Sequence, residues 1–383
     1  MSKRGVFMKK ILCLVISCCL IFSNTLALEE NTDNEVNMTI DEAIEFAVKN
    51  NSSLIDLRKS DKDQEDLYED AKKEYRNWQE QIRRNGGYAF ENTNEYLTCW
   101  GYNLELAKLQ YDSFLSNEKG AEYKIRYSVK SLIYNIFELQ NNISLLEETI
   151  KKQENDLDIA KVKYKFNMIT ENEVDTAKNT LESTKLQLES LNKTIDSLSI
   201  SLKKLMGYDI NKELNIEILL DENEEIEIDD LEEVIEESLS NNVSVLSSKI
   251  QYKQKENQYI LATKTSFLTR EEKKDAKDNY SDAEFRLNNE INSIKENLKL
   301  LYGKVKDKET ELKIIQDELK IAKRQFSQAK IMYKLGLISK NTFLTYRLNF
   351  ANSENKYKTK LKEEDLLKDR WNIAIIVGDV IEG

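Results

Sequence analysis

Residues spaced alternately four and three apart, nearly all of them apolar, run the length of three segments and leave few folds open to this chain. Leu132, Ile136, Leu139, Ile143, Leu146, Ile150, Gln153, Leu157, Ala160 and Tyr164 form one row. Val174, Ala177, Leu181, Thr184, Leu188, Leu191, Ile195, Leu198, Leu202 and Leu205 form the next. Ile294, Leu298, Leu301, Val305, Lys308, Leu312, Ile315, Leu319, Ala322, Phe326, Ala329 and Tyr333 form a third. A globular helix shows a broader stripe of period 3.6, whereas a strict heptad held this far calls for helices that supercoil around one another. The chain contains no proline and only ten glycines, so a sandwich or barrel of strands would lack turn residues. An all-α fold of long antiparallel coiled-coil hairpins follows. A fourth row, Phe343 to Phe350, Tyr357, Leu367 and Trp371, is less regular, with Lys360 and Glu364 at positions the spacing reserves for apolar side chains.

The pattern occurs twice. Ile40-Asp41-Glu42-Ala43-Ile44-Glu45, running on to Asn50-Asn51, returns 191 positions later as Leu231-Glu232-Glu233-Val234-Ile235-Glu236, running on to Asn241-Asn242. Ala160 to Ile169 returns 169 positions later as Ala329 to Ile338, so the second copy is about 22 residues shorter between its landmarks. The expected organisation is a leader over 1–27, a first helical repeat over 38–207 with a short tip at 84–102, an acidic linker over 208–230, and a second repeat over 231–378. Asn50-Asn51 and Asn241-Asn242 are expected to end the starter helices in the left-handed conformation that Asn tolerates, as are Asn167 and Gly336 in the tight turns and Gly207 and Gly378 at the close of each repeat.

Helix lengths are mutually consistent. At 1.5 Å per residue a helix over 103–166 extends roughly 95 Å, and helices over 53–83 and 170–206 extend about 46 and 55 Å. Two middling helices end to end match one long one, and 243–270 plus 339–377 stand in the same relation to 275–335. One sheath of constant height accounts for both matches.

Charge and residue choice exclude other classes. Without histidine there is no Ser-His or Cys-His nucleophile arrangement, and 69 scattered acids single out no carboxylate pair for catalysis. No enzyme is expected, and no cofactor. Net charge is −12, and beyond the leader, whose charges are Lys3, Arg4, Lys9 and Lys10, it reaches −16, which disfavours nucleic acid. The leader has an apolar run Ile11 to Phe22 and small Thr25 and Ala27, as in a secretory signal peptide. Retention as an anchor, or lipidation at the Val15-Ile16-Ser17-Cys18 box, are the other fates. Cys13, Cys18 and Cys19 lie in it, leaving Cys99 alone and no internal disulfide. Export places the chain in the cell envelope or outside the cytoplasmic membrane.

The duplicated Ile40 to Asn51 start, the Tyr333-Lys334-Leu335-Gly336-Leu337-Ile338 turn and the Leu205-Met206-Gly207 close resemble the outer-membrane efflux protein (TolC) family over about residues 38–378. The resemblance implies a homotrimer whose twelve helices form a duct with an equatorial belt. It also implies hairpin tips that meet a membrane-fusion-type adaptor and an ABC or other exporter in the inner membrane. The tip residues at this chain's own positions are Tyr164, Asn167, Met168 and Ile169, with Tyr333, Leu335, Gly336, Leu337 and Ile338. Any helical hairpin also needs a Gly or Asn and a few apolar residues at its turn. The family inserts two membrane strands per repeat, each needing about 9–11 residues. Here the first repeat offers only Asn85 to Tyr102, and the second the charged Ser266 to Lys274. The expected fold is therefore the helical sheath without barrel strands.

Three further features have two readings each. Asp221 to Asp230, with seven acids in ten positions, is a solvated linker or a Ca²⁺ site lacking EF-hand spacing, and Leu214 to Leu219 is a belt strand. Tyr88, Phe90, Tyr96, Trp100 and Tyr102 are a membrane or partner contact, or a tip packed on itself. Cys99 packs as a small apolar residue, or is a reactive thiol. The function expected is an efflux or secretion duct component. The alternative is a coiled-coil spacer of the envelope that encloses no channel, against which stand the apolar second-flank residues Ile133, Phe137, Leu145, Ile159 and Val162.

Overall fold

The heptad rows become helices whose ends are fixed by local capping chemistry. The computed structural model describes residues 35–85, 93–218, 225–264 and 268–378. The leader with Cys13, Cys18 and Cys19, the cluster members Tyr88 and Phe90, Asp221 to Glu224 of the acidic stretch, and Ser266 and Phe267 lie outside these. Strand β1 (Glu35–Thr39) leads into α1 (Ile40–Asn50), α2 (Ser52–Lys59), α3 (Asp61–Asn85), α4 (Thr93–Cys99), α5 (Tyr102–Lys165) and α6 (Glu171–Met206). Strand β2 (Glu213–Glu217) precedes α7 (Leu231–Ser238), α8 (Val243–Lys264), α9 (Arg270–Lys334) and α10 (Lys340–Val377). Thr39 with Glu42, Thr170 with Glu173 and Thr269 with Glu272 close capping boxes at the starts of α1, α6 and α9, and Ser339 accepts the Thr342 N–H at the start of α10.

Packing sets the helices side by side. Toward the hairpin turns the order is α6, α5, α10, α9, and in the other half α3, α5, α8, α9. The long helices α5 and α9, of 64 and 65 residues, run through both halves. The shorter ones meet end to end at mid-height. Asn51 Nδ2 donates to the Leu205 carbonyl at 3.1 Å while its Oδ1 accepts the Leu54 N–H at 3.2 Å, joining the end of α6 to the start of α2. Asn242 Nδ2 donates to the Gly378 carbonyl and its Oδ1 accepts the Val245 N–H, both at 3.0 Å, joining α10 to α8. These asparagines are bridges. Asn51 is extended, with φ −67° and ψ 119°, and Asn167 is the one non-glycine with positive φ among the described residues. The left-handed expectation is thereby corrected for the starter helices and met at Asn167, Gly207, Gly336 and Gly378, whose φ values are 55°, 69°, 70° and 70°.

Two cores lie at the same level. Ala43, Ile44 and Ala47 of α1 pack on Val129, Ile133 and Tyr134 of α5 and on Leu202 and Met206 of α6. Ile235 and Leu239 pack with Val245, Leu298, Leu301, Val305 and Trp371 around α7. Each buried Leu, Ile or Val contributes roughly 1.5–3 kcal/mol, so the short helices α1 and α7 are held by burial rather than by propensity. Beside the first core β2 pairs with β1, Asn215 Nδ2 donating to Asn37 Oδ1 at 2.9 Å. The belt strand expected at Leu214 to Leu219 is thus present over Glu213–Glu217, and its partner strand was not anticipated.

Some boundaries differ from expectation. The helix expected over 53–83 is interrupted at Ser60, where the Ser60 N–H turns to the Leu57 carbonyl. The short tip expected at 84–102 contains the helix α4. Seven residues separate α3 from α4 and five separate α8 from α9, too few for a pair of membrane strands at either place. Among the described residues no helix is long and apolar enough to cross a membrane. Among the described residues the fold is an all-α, TolC-like protomer lacking the barrel strands.

Candidate functional site

Both hairpin turns use the same backbone solution. After α5 the Met168 N–H reaches the Lys163 carbonyl at 2.9 Å and the Asn167 N–H the Tyr164 carbonyl at 2.8 Å. After α9 the Leu337 N–H reaches Met332 at 2.9 Å and the Gly336 N–H reaches Tyr333 at 3.0 Å. These are Schellman motifs, which require the left-handed residue that Asn167 and Gly336 supply. Ile169 and Ile338 are half-buried and pin the turns. Their neighbours face water: Phe166 is 72% exposed, Met168 71%, Leu335 69% and Leu337 67%. Tyr164, Tyr333, Ile331 and Met332 are also exposed. Large apolar side chains gathered in this way at two helix ends form an unsatisfied surface.

The register between hairpins places the turns at different heights. Arg347 faces Glu148, Asn355 faces Asn142, and Asp365 faces Tyr134 across the α5–α10 contact. Extended to the turns, this register puts Gly336 opposite about residue 160 of α5, so the first turn projects about 10 Å beyond the second. Val162 lies on the projecting length and Ile159 at its base, both exposed in the single chain, whereas Ile133 is buried and Phe137 and Leu145 are half-buried. Phe166, Ile331 and Met332 extend the surface beyond the residues expected. Their signal was an apolar residue within one turn of a helix end, where no heptad position needs one.

The contact between hairpins is polar. Arg347 grips Glu148 with two nitrogens, at 2.7 and 2.5 Å. Lys130 Nζ lies 2.7 Å from both Asp365 and Asp369, and the Tyr134 hydroxyl donates to Asp365. Lys362 pairs with Glu138 across it, while within the second hairpin buried Lys368 pairs with buried Glu364 and, at 3.6 Å, with Glu309. Burial pulls Lys130 down, but Asp369 and Asp365 outweigh it and hold the ammonium above its ordinary range. Burial and the hydrogen bond to Asp365 push the Tyr134 phenol far up, and burial pushes the Glu364 carboxyl up. Glu364, which breaks the fourth row, is buried, and so are Lys362, Asp365 and Lys368. Elsewhere surface pairs such as Lys193–Glu189 and Lys152–Asp156 follow the i to i+4 pattern.

Glu309 also accepts the Ile226 N–H at 3.0 Å, so the described end of the acidic stretch lies on α9, where Glu225 pairs with Lys313. Cys99 is buried, and its desolvated thiol is pushed up, away from reactivity.

No protein-family model and no curated protein matches the sequence. Solved structures do. The chain is similar to the CmeC outer membrane channel of Campylobacter jejuni, with a TM-score of 0.61 at 14% identity over 94% of this chain and 92% of that one. The open-state MtrE outer membrane channel of Neisseria gonorrhoeae gives 0.60 at 12% identity over 90% and 91%. The outer membrane protein VceC of Vibrio cholerae gives 0.58 at 11% over 90% and 97%. At these identities the likeness is one of fold, and it is the fold the sequence resemblance implied.

Proposed function

We propose that this chain is the duct protomer of an export assembly, three copies closing a helical sheath through which substrate passes. One observation carries the reading. Helices α6 and α9 stand at opposite edges of the row of helices and share no packed face. Leu186 and Ile200, fourteen residues apart on α6, are exposed at one heptad position, and Leu300, Ile314 and Ile321 are exposed at one heptad position of α9. Each edge therefore carries a second, unfilled seam. Two different edges that complement one another generate a ring when the rotation closes. A spacer of paired coils has no use for a second seam, so the duct is favoured over the structural alternative. The likeness in fold to outer-membrane channels points the same way.

In this assembly the exposed turns, with Tyr164, Asn167, Met168 and Ile169 of the first and Tyr333, Leu335, Gly336, Leu337 and Ile338 of the second, dock a membrane-fusion-type adaptor that joins the duct to an ABC or other exporter. The protein acts in the cell envelope as a conduit and not as an enzyme. The matched lengths of α5 and α9 and the paired splices at Asn51 and Asn242 support descent from a tandem duplication. Sedimentation equilibrium on residues 28–383 is expected to give a trimer, and a monomer at high micromolar concentration overturns the duct. In cells, deletion is expected to lower drug or peptide export, whereas unchanged export with altered envelope shape favours the spacer.

A further inference from the structure

The duplication that orders the sequence also repeats contacts. Arg126 of α5 pairs with Glu45 of α1, and Lys295 of α9, 169 positions on, pairs with Glu236 of α7. At the same offset Ser339 caps α10 where Thr170 caps α6, and buried Trp371 stands where buried Leu202 does. Each position of α5 and α6 is therefore equivalent to the position 169 residues later in α9 and α10. The face of α5 that meets α10 has its counterpart on α9, and the face of α10 that meets α5 has its counterpart on α6. Those counterparts are the two open edges.

Carried onto these edges by the offset, three internal ion pairs keep their charges. Glu148–Arg347 becomes Asp317 and Lys178, Glu138–Lys362 becomes Asp307 and Lys193, and Lys130–Asp365 becomes Lys299 and Asp196. All six residues of the edge set are exposed. One heptad to either side of Asp307 and Lys193, the same register sets Leu300 against Ile200 and Ile314 against Leu186, all four exposed. The fourth internal pair, Lys130–Asp369, is not kept, because Ile200 stands at the place of its acid. Two like-charged approaches arise, Glu311 to Glu189 and Glu318 to Glu182. Each of these carboxylates already holds a lysine of its own chain: Lys308, Lys193, Lys356 and Lys185 in turn.

We propose that a second copy of this chain seats its α6 on α9 in the register that α10 takes on α5, so that Lys178, Lys193 and Asp196 of one copy meet Asp317, Asp307 and Lys299 of the next. The inference rests on the duct reading and supplies its register: three contacts within chains and three between them then have one geometry. Complementary charge selects this alignment over its neighbours. A slip of one heptad leaves Asp307 against Ile200 or Leu186, and brings Lys299 to Lys203 or Asp317 to Glu171.

Charge exchange and cross-linking of residues 28–383, in which Cys99 is the one cysteine, test the register. Asp307→Lys and Lys193→Asp are each expected to raise the concentration for half-assembly about tenfold in sedimentation velocity. Both positions are exposed, and an unchanged circular dichroism spectrum verifies the fold. The two substitutions together restore opposite charges at every contact between copies and are expected to return assembly to within about twofold of the parent chain. Ile314→Cys with Leu186→Cys is expected to join copies through a short bis-maleimide, and Ile314→Cys with Asn179→Cys, one heptad away, to join few. A trimer whose assembly the double exchange does not recover, or whose links favour Asn179→Cys, overturns the register and leaves the duct standing. A monomeric parent chain overturns both.

Discussion

Gly336 and Gly378 share a φ of +70° for different reasons. Around Gly336 nothing lies within 4 Å of an added Cβ, so Gly336→Ala pays only the left-handed strain, roughly 1–2 kcal/mol. At Gly378 the same Cβ would fall 1.9 Å from Asn242 Nδ2 and displace the side chain that joins α10 to α8. Gly378→Ala is therefore expected to cost about 2–4 kcal/mol, strain and lost cap together, in urea unfolding. Equal losses at the two glycines would show that the Asn242 splice contributes nothing. Lys130 sets a second test. Lys130→Met leaves Asp365 and Asp369 facing each other without a counterion, and unfolding is expected to become easier by about 3–5 kcal/mol. Adding Asp365→Asn is expected to recover part of that loss, since the new side chain carries no charge.

The helix α10 shows where reading along a chain stops. Phe343 and Phe350 sit in heptad positions and stack on Phe326, at 5.8 and 5.3 Å between ring centres, as the spacing predicts. Glu364, by contrast, stands where the spacing reserves an apolar side chain, and it is buried with its i+4 partner Lys368, which also reaches Glu309 of α9. Glu309 lies more than fifty residues away, and no local pattern announces it. The capping boxes were written in the sequence as Thr-x-x-Glu, and they make a pH-dependent prediction. Hydrogen bonds from the Thr170 and Thr269 backbone hold the Glu173 and Glu272 carboxyls below their ordinary range. With the folded value below the unfolded one, about 4.3 for Glu, the contribution is whole above that pH and lost as pH falls through the folded value. Hydrogen-exchange protection in the first turns of α6 and α9, measured against the intrinsic rate at each pH, is thus expected to be full at pH 7 and to drop below about pH 4. Thr170→Ala should show the faster exchange in α6 at both pH values.

At the scale of the molecule, the repeated landmarks and matched lengths made it legible from the sequence that two shorter helices, end to end, stand beside each long one. What it withheld was α4, because seven residues rich in Thr, Asn and Tyr carry no period, and the β1–β2 pair, whose strands lie 174 residues apart. The open edges give the prediction proper to this scale. Ile314→Glu places a charge on an exposed side chain, so the protomer's melting is expected to stay within about 0.5 kcal/mol of wild type. Sedimentation velocity is expected to show the trimer dissociated. An unaffected trimer would remove the α9 edge from the contact. The splices have a mechanical meaning as well. Each joint between short helices lies alongside the unbroken middle of α5 or α9, as staggered bricks bridge the mortar line of the course beside them. Tension along the axis must then shear a continuous helix against its neighbour before either joint parts, so the protomer lengthens or shortens only by sliding whole helices, never by opening at mid-height.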